Sequence, residues 1–209
     1  MFDLSNLTLF LVAAIVLVVT PGPDTLYVIA RSIGQGRKAG IISALGISVG
    51  LVAHISAAAI GLSALLMTSA LAYSIVKYVG AAYLVYLGLR TILSRNAHNL
   101  VNALRKTNLK TVFWQGILSS TLNPKLALFF LAFLPQFVNP DRGAIALQII
   151  ALGIMFIIMA ILWLLFVALL TSSAGEWLRK NASFAKFQRW FTGTIFIGLG
   201  VRLALSDQK

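Results

Sequence analysis

The chain has 209 residues, of which 59% are hydrophobic and 11% charged, with a mean hydropathy of +0.93 and no cysteine. Disulfides, thiol redox chemistry and thiolate metal sites are therefore excluded. So is a water-soluble globule, because several stretches exceed the ~20 apolar residues that a helix needs to cross a hydrocarbon core of about 30 Å.

A bilayer offers backbone amides no water, so spanning segments must be helices or a closed barrel, and the continuous apolarity here lacks a barrel's alternation. Six spans are expected: Phe10–Ser32, Gly40–Met67, Leu71–Leu93, Val112–Phe137, Ala144–Leu170 and Phe184–Leu205. The first has no basic start, since Asp3 precedes it and the first cation is Arg31, so it reads as a retained span rather than a cleaved signal. It is interrupted by "TPGPDT" at residues 20–25. Span two carries Gly36 and Gly40 at its entry, then Gly46 and Gly50, then the Ala57–Ala59 run, a surface on which helices can approach closely. Ser94 to Thr111 is a polar loop with Arg95, Arg105, Lys106 and Lys110, and span four is interrupted by "TLNPKL" at residues 121–126. Trp114, Trp177 and Trp190 sit toward segment ends as interfacial anchors, whereas Trp163 lies within span five. With no linker and no soluble remainder, residues 1–209 form a single membrane domain.

The formal net charge is +12. It is unevenly placed: Arg31, Arg37 and Lys38 follow span one, Arg90 to Lys110 follow span three, and Arg179, Lys180, Lys186 and Arg189 separate spans five and six. Between spans two and three there is no charge, and between four and five only Asp141 and Arg142. The positive-inside rule then puts three basic loops in the cytoplasm and both termini outside. Beyond the charge itself, nothing supports a nucleic-acid partner.

The two halves resemble each other. Aligning Pro23 with Pro124 sets Thr20 on Thr121, Gly22 on Asn123 and Asp24 on Lys125, and "KYVGAAYLVYLGLRTILS" (77–94) lies over "RWFTGTIFIGLGVRLALS" (189–206). Three spans per half make the second copy enter from the opposite side. The expected fold is thus all-α, with six transmembrane helices as two inverted three-helix repeats, about 7–94 and 111–206, whose first helices are broken at proline motifs.

Such breaks mark secondary transporters, whose substrate sites lie near the midplane. Pro21 and Pro23 remove backbone donors, and a new half-helix can start at Pro23 with Gly22 or Thr20 near its cap; Asn123 is a good N-cap with Pro124 behind it. Both new N-termini are expected to offer open amides and partial positive charge. Asp24 suits a first helical turn and Lys125 does not, so Lys125 calls for an anion. A zwitterion fits, with its ammonium on Asp24 and its carboxylate on Lys125 and the Asn123 terminus; the alternative is that Asp24 and Lys125 pair with each other. Gln115, one or two turns from Asn123, is a further candidate for the cavity. His54, in mid-span, either relays protons or bridges helices, and Asp24 competes for the proton-coupling role. An enzyme is disfavoured because Asp3, Asp141, Glu176 and Asp207 are all at segment ends or in loops. With His54 and His98 as its two histidines, the chain lacks a metal cage, and no cofactor is implied.

"TPGPDTLYVIARSIGQGRKAGIISALGISVGL" and "NPKLALFFLAFLPQFV" resemble the two signature regions of the LysE/RhtB superfamily, and "KYVGAAYLVYLGLRTIL" and "GLGVRLALS" its third and last hydrophobic segments. The likeness is to the threonine and homoserine exporter branch. It implies export of small, mostly neutral amino acids or derivatives (threonine, homoserine, homoserine lactone or leucine type) from the bacterial cytoplasm across the inner membrane, by exchange with protons. The implied partners are the amino acid, protons and the lipid bilayer, with self-association into a homo-oligomer left open. One departure is that the position after PGP, often asparagine in that family, is Asp24 here. Export of another solute or a cation, passive conduction and a non-transporting scaffold are the competing readings.

Overall fold

The computed structural model describes residues 4–62, 70–93, 106–139 and 143–180, and in the terminal segment residues 190, 193–194, 197–198, 200–201 and 204–205. Span one is two helices, α1 (Leu4–Val19) and α2 (Pro23–Gln35), bent by 44°. The bend follows from proline chemistry, since Pro21 and Pro23 have no N–H to offer the carbonyls of Leu17 and Val19 four residues earlier. Thr20 N–H still closes on the Val16 carbonyl at 3.0 Å, and the ladder resumes with Leu26 N–H on the Gly22 carbonyl.

Gly36 alone joins α2 to α3 (Arg37–Ala57), at φ 88°. That left-handed backbone is the reason for glycine, and a Cβ there would meet nothing within 4 Å. Gly36 and Gly40 are thus no packing pair, contrary to expectation: Gly36 makes the turn, and Gly40 alone faces a neighbour, Ser32 with Ala168 behind it. A π-helical turn, Ala58–Leu62, continues α3.

Span three is α4 (Ala70–Leu93). Span four is α5 (Leu109–Thr121) and α6 (Pro124–Leu128), the latter running on through a π-helical turn (Phe129–Phe133) and a 3-10 turn (Leu134–Phe137), with a bend of 43° between the limbs. Asn108 caps α5 by accepting the Thr111 N–H at 2.7 Å, which starts that helix before the expected Val112. Span five, α7 (Ile145–Lys180), passes the expected end at Leu170. Apolarity stops there but helix propensity does not, because the following residues include Ala, Glu, Leu, Arg and Lys and no proline. Residues 171–180 are therefore helix rather than loop. Residues 63–67 of the expected second span, 94–105 of the basic loop and 184–189 of the sixth span lie outside the described residues, as do Asp3, His98, Asp141, Arg142 and Asp207.

By length and apolarity, 37–61 and 145–171 can each cross a bilayer, and so can each bent pair taken as one span. The chain is an all-helical membrane protein over its described residues. Val12, Val49, Val52, Ile154, Ile158 and Leu162 point outward, as suits a hydrocarbon solvent, while Phe10, Phe129, Phe130, Phe133 and Phe156 are fully buried between α1, the α6 limb and α7.

Two backbone approaches fix the packing. A Cβ on Gly46 would stand 2.2 Å from the Phe113 carbonyl, one on Gly50 2.7 Å from the Ile117 carbonyl, and one on Gly116 2.9 Å from the Ser43 carbonyl. The Gly46/Gly50 surface expected from the sequence is thus the α3–α5 interface. Gly46→Ala should force these backbones apart and lower the thermal unfolding midpoint in detergent, at an overpacking cost of about 1–3 kcal/mol; an unchanged midpoint would contradict so close an approach. The second approach joins α4 to the terminal segment, with a Cβ on Gly88 falling 2.6 Å from the Gly193 carbonyl and one on Gly200 2.7 Å from the Ala81 carbonyl. These contacts run in opposite chain directions, so the two elements are antiparallel.

Candidate functional site

The proline breaks leave carbonyls without their helical donors, and side chains from elsewhere meet two of them, those of Leu17 and Ser120. Pro21 strands the carbonyl of Leu17, and Lys125 Nζ donates to it at 2.6 Å and to the Thr20 carbonyl at 2.8 Å. This resolves the electrostatic mismatch read from the sequence. The backbone of Lys125 is in the first turn of α6, but its ammonium lies at the carbonyl end of α1, where the helix dipole favours a cation. A Cβ on Gly22 would be 3.4 Å from Nζ, so the glycine leaves the ammonium room.

At the second break Pro124 strands the carbonyl of Ser120, which accepts the Asn123 N–H at 3.0 Å and lies 2.8 Å from His54 Nε2. Asn123 caps α6 as expected, its Oδ1 accepting the Lys125 N–H at 3.1 Å. The same side chain crosses to the other break, its Nδ2 donating to Asp24 Oδ2 at 3.1 Å, while Ser119 Oγ donates to Asp24 Oδ1 at 3.0 Å. Asp24, Asn123 and His54 are all buried.

The two half-helix N-termini differ, which corrects the expectation that both stand open. At α6 the first amides are taken by Asn123 Oδ1 and the Asn123 carbonyl. At α2 the cap is Gly22, which has no side chain, and Pro23 has no N–H. Among the described residues the amides of Asp24 and Thr25 have no partner, as befits the open end of a helix.

A cavity with about 40 Å³ of room for water centres lies against this end. That is enough for roughly three waters. Asp24, Thr25, Asn123 and Lys125 form its polar side, and Ile47, Leu51, Phe156, Ala160, Trp163 and Leu164 its apolar wall. The structure thus brings Gly22, Asp24, Asn123 and Lys125 together, with Thr20 contributing its carbonyl and Pro21, Pro23 and Pro124 the breaks.

It does not bring Gln115 to the cavity. The Oε1 of Gln115 accepts from Arg31 Nη2 at 2.6 Å and faces the Tyr27 hydroxyl at 3.2 Å. Arg31, read from the sequence as a loop cation, is 2% exposed within α2; it also contacts Gln35 and lies 5.4 Å from the Tyr27 ring centroid. Tyr27 OH reaches the Val112 carbonyl at 2.9 Å and Gln35 Nε2 the Thr107 carbonyl at 2.7 Å, so this cluster ties α2 to α5. Ser119 was missed as well; it lies in the last turn of α5, and its closeness in sequence to the break at Asn123 was the available signal. Among the described residues no group of three His, Asp or Glu could hold a metal ion.

The profile of the LysE type translocators matches residues 15–207. The chain belongs to that family. As a LysE type translocator it is a membrane transporter and not an enzyme. It is 35% identical to the uncharacterized membrane protein YrhP of Bacillus subtilis (strain 168), covering 96% of this chain and 99% of that one. It is 30% identical to the leucine efflux protein of Salmonella typhimurium, over 97% and 96% of the two chains, and 29% identical to an uncharacterized membrane protein of Vibrio cholerae, over 93% and 94%. No solved structure matches this translocator.

Proposed function

We propose that this translocator is a secondary active exporter of small, mostly neutral amino acids, working by proton antiport in the bacterial inner membrane. The observation that carries the reading is the cavity, where a carboxylate, an ammonium and an open helix N-terminus meet on one side and an apolar wall on the other. A neutral amino acid presents the complementary set. Its ammonium lies against Asp24, its carboxylate against Lys125 and the Asp24 and Thr25 amides, and its side chain against Phe156, Ala160 and Leu164. This moves the carboxylate from the Asn123 end to the Pro23 end, because the former is closed by its own cap. A relative named as a leucine efflux protein fits such a wall.

The architecture in this proposal is six spans in two inverted repeats, with both termini outside and the basic loops in the cytoplasm. Two observations support it. The breaks bend their spans by 44° and 43°. In the alignment that sets Gly88 on Gly200, Ala81 falls on Gly193, so the contact of Gly88 with the Gly193 carbonyl becomes that of Gly200 with the Ala81 carbonyl when the repeats are exchanged. Asp24 is assigned the proton, since the His54 Nε2 is engaged by a carbonyl.

The test is counterflow in proteoliposomes loaded with single unlabelled amino acids, following entry of labelled leucine or threonine with and without a pH gradient. Saturable exchange limited to small neutral amino acids and driven by the gradient is expected. No exchange by folded protein would redirect the reading to another solute, a cation or a scaffold, and exchange indifferent to the gradient would remove the antiport.

A further inference from the structure

His54 lies four residues beyond Gly50 and eight beyond Gly46, on the face of α3 that packs against α5. Where the two glycines let backbones touch, His54 supplies a polar group instead. Its Nε2 is 2.8 Å from the Ser120 carbonyl, and its ring stacks on Phe130 with centroids 6.0 Å apart and planes 9° from parallel. Ser120 is the last turn of α5 and Phe130 lies beyond α6, so one imidazole touches both limbs of the broken span. A carbonyl can only accept, which makes Nε2 the protonated nitrogen.

The Ser120 carbonyl is the one that Pro124 leaves without its helical donor. It keeps the Asn123 N–H at 3.0 Å, and the His54 N–H fills its second acceptor position at a depth where water is scarce. The adjoining residues, Ser119 and Asn123, are those that hold the Asp24 carboxylate. Lys125 plays the corresponding part at the first break, where it meets the carbonyl stranded by Pro21. From this geometry we infer that His54 is a positioning residue: its imidazole N–H stands in for the amide that Pro124 removes, and so sets the turn that aims Ser119 and Asn123 at Asp24. On this inference, which rests on the exporter reading, the ring holds its Nε2 proton throughout the cycle and passes none on.

The experiment compares His54→Gln and His54→Leu in the counterflow assay, with the unsubstituted protein as the control for the exporter reading itself. Gln can place an N–H near the same carbonyl but cannot relay a proton, and Leu can do neither. His54→Gln should keep at least half of the maximal exchange rate and the full response to a pH gradient. His54→Leu should lose about tenfold in maximal rate with little change in half-saturating substrate, since the broken turn costs the site its alignment. Loss of gradient response in His54→Gln, or a normal rate in His54→Leu, overturns the inference. A second measurement does not depend on variants at His54 folding: nitrogen NMR of the imidazole, in protein whose other histidine is replaced (His98→Asn). The expected signal is the Nε2–H tautomer with and without substrate; an Nδ1–H tautomer, or one that changes with substrate, overturns it. If the unsubstituted protein shows no exchange, the exporter reading fails, while the NMR result still decides whether His54 holds the turn.

Discussion

Lys125→Met should abolish amino-acid exchange while leaving a protein that still inserts in the membrane. The substitution keeps the length and apolarity of the side chain but removes the ammonium that reaches the carbonyls of Leu17 and Thr20 at the edge of the cavity. Hydrogen bonds to a charged group are worth ~1.5–3 kcal/mol each, so losing the carboxylate's cation should lower the exchange rate about a hundredfold or more. The Leu17 carbonyl is stranded at the same time, so the unfolding midpoint should fall as well, and rates must be read against the fraction of protein that elutes as a single species from size exclusion. Normal exchange by Lys125→Met would remove this residue from the substrate's path and leave it as a structural cap on α1.

Asp24→Asn separates binding from coupling. Asparagine can keep both contacts, its Oδ1 accepting from Asn123 Nδ2 and its Nδ2 donating to the Ser119 hydroxyl, which accepts as well as donates, so the Asn123 cap on the Lys125 N–H is undisturbed. What is lost is the charge. Counterflow of saturating substrate should continue at a rate about tenfold lower, as expected when the substrate's ammonium meets a neutral acceptor in place of a charged one. Accumulation driven by an imposed pH gradient should disappear. If gradient-driven accumulation persists, the proton travels on another group and Asp24 serves only to orient substrate; if counterflow disappears entirely, the charge itself is required to hold the ammonium.

Features governed by backbone chemistry were readable in the residues. Two prolines without N–H groups break a helix wherever it is buried, asparagine before proline caps the next one, and glycines four apart let backbones meet, so both breaks, the Asn123 cap and the Gly46/Gly50 contact stand where the sequence put them. Features that depend on the reach of a long side chain were not. The first turn of α6 places Lys125 by its Cα, but its ammonium ends a helix away, at the negative end of α1. Arg31 belongs to a basic cluster by sequence, and counting charges cannot distinguish a loop cation from one folded back onto Tyr27 and Gln115. Which N-terminus stays open was hidden for a related reason, because capping potential is visible in Asn123 and absent in Gly22 only once the turn geometry is known. The end of α7 was misplaced because hydropathy reports where a bilayer stops, and a helix can outlast it.

The turn at Gly36 has a consequence for phase. A single residue links α2 to α3, so there is no slack in which an inserted or deleted residue could be absorbed. One extra residue there would advance α3 by about 100° about its axis and ~1.5 Å along it. Gly46, Gly50 and His54 would swing together off the carbonyls of Phe113, Ile117 and Ser120, and bulkier neighbours would take their places. Surface turns ordinarily tolerate changes in length; this one behaves like a gear tooth, and in this chain the spacing between the first proline break and the α3 face is as constrained as the identity of any residue in the cavity.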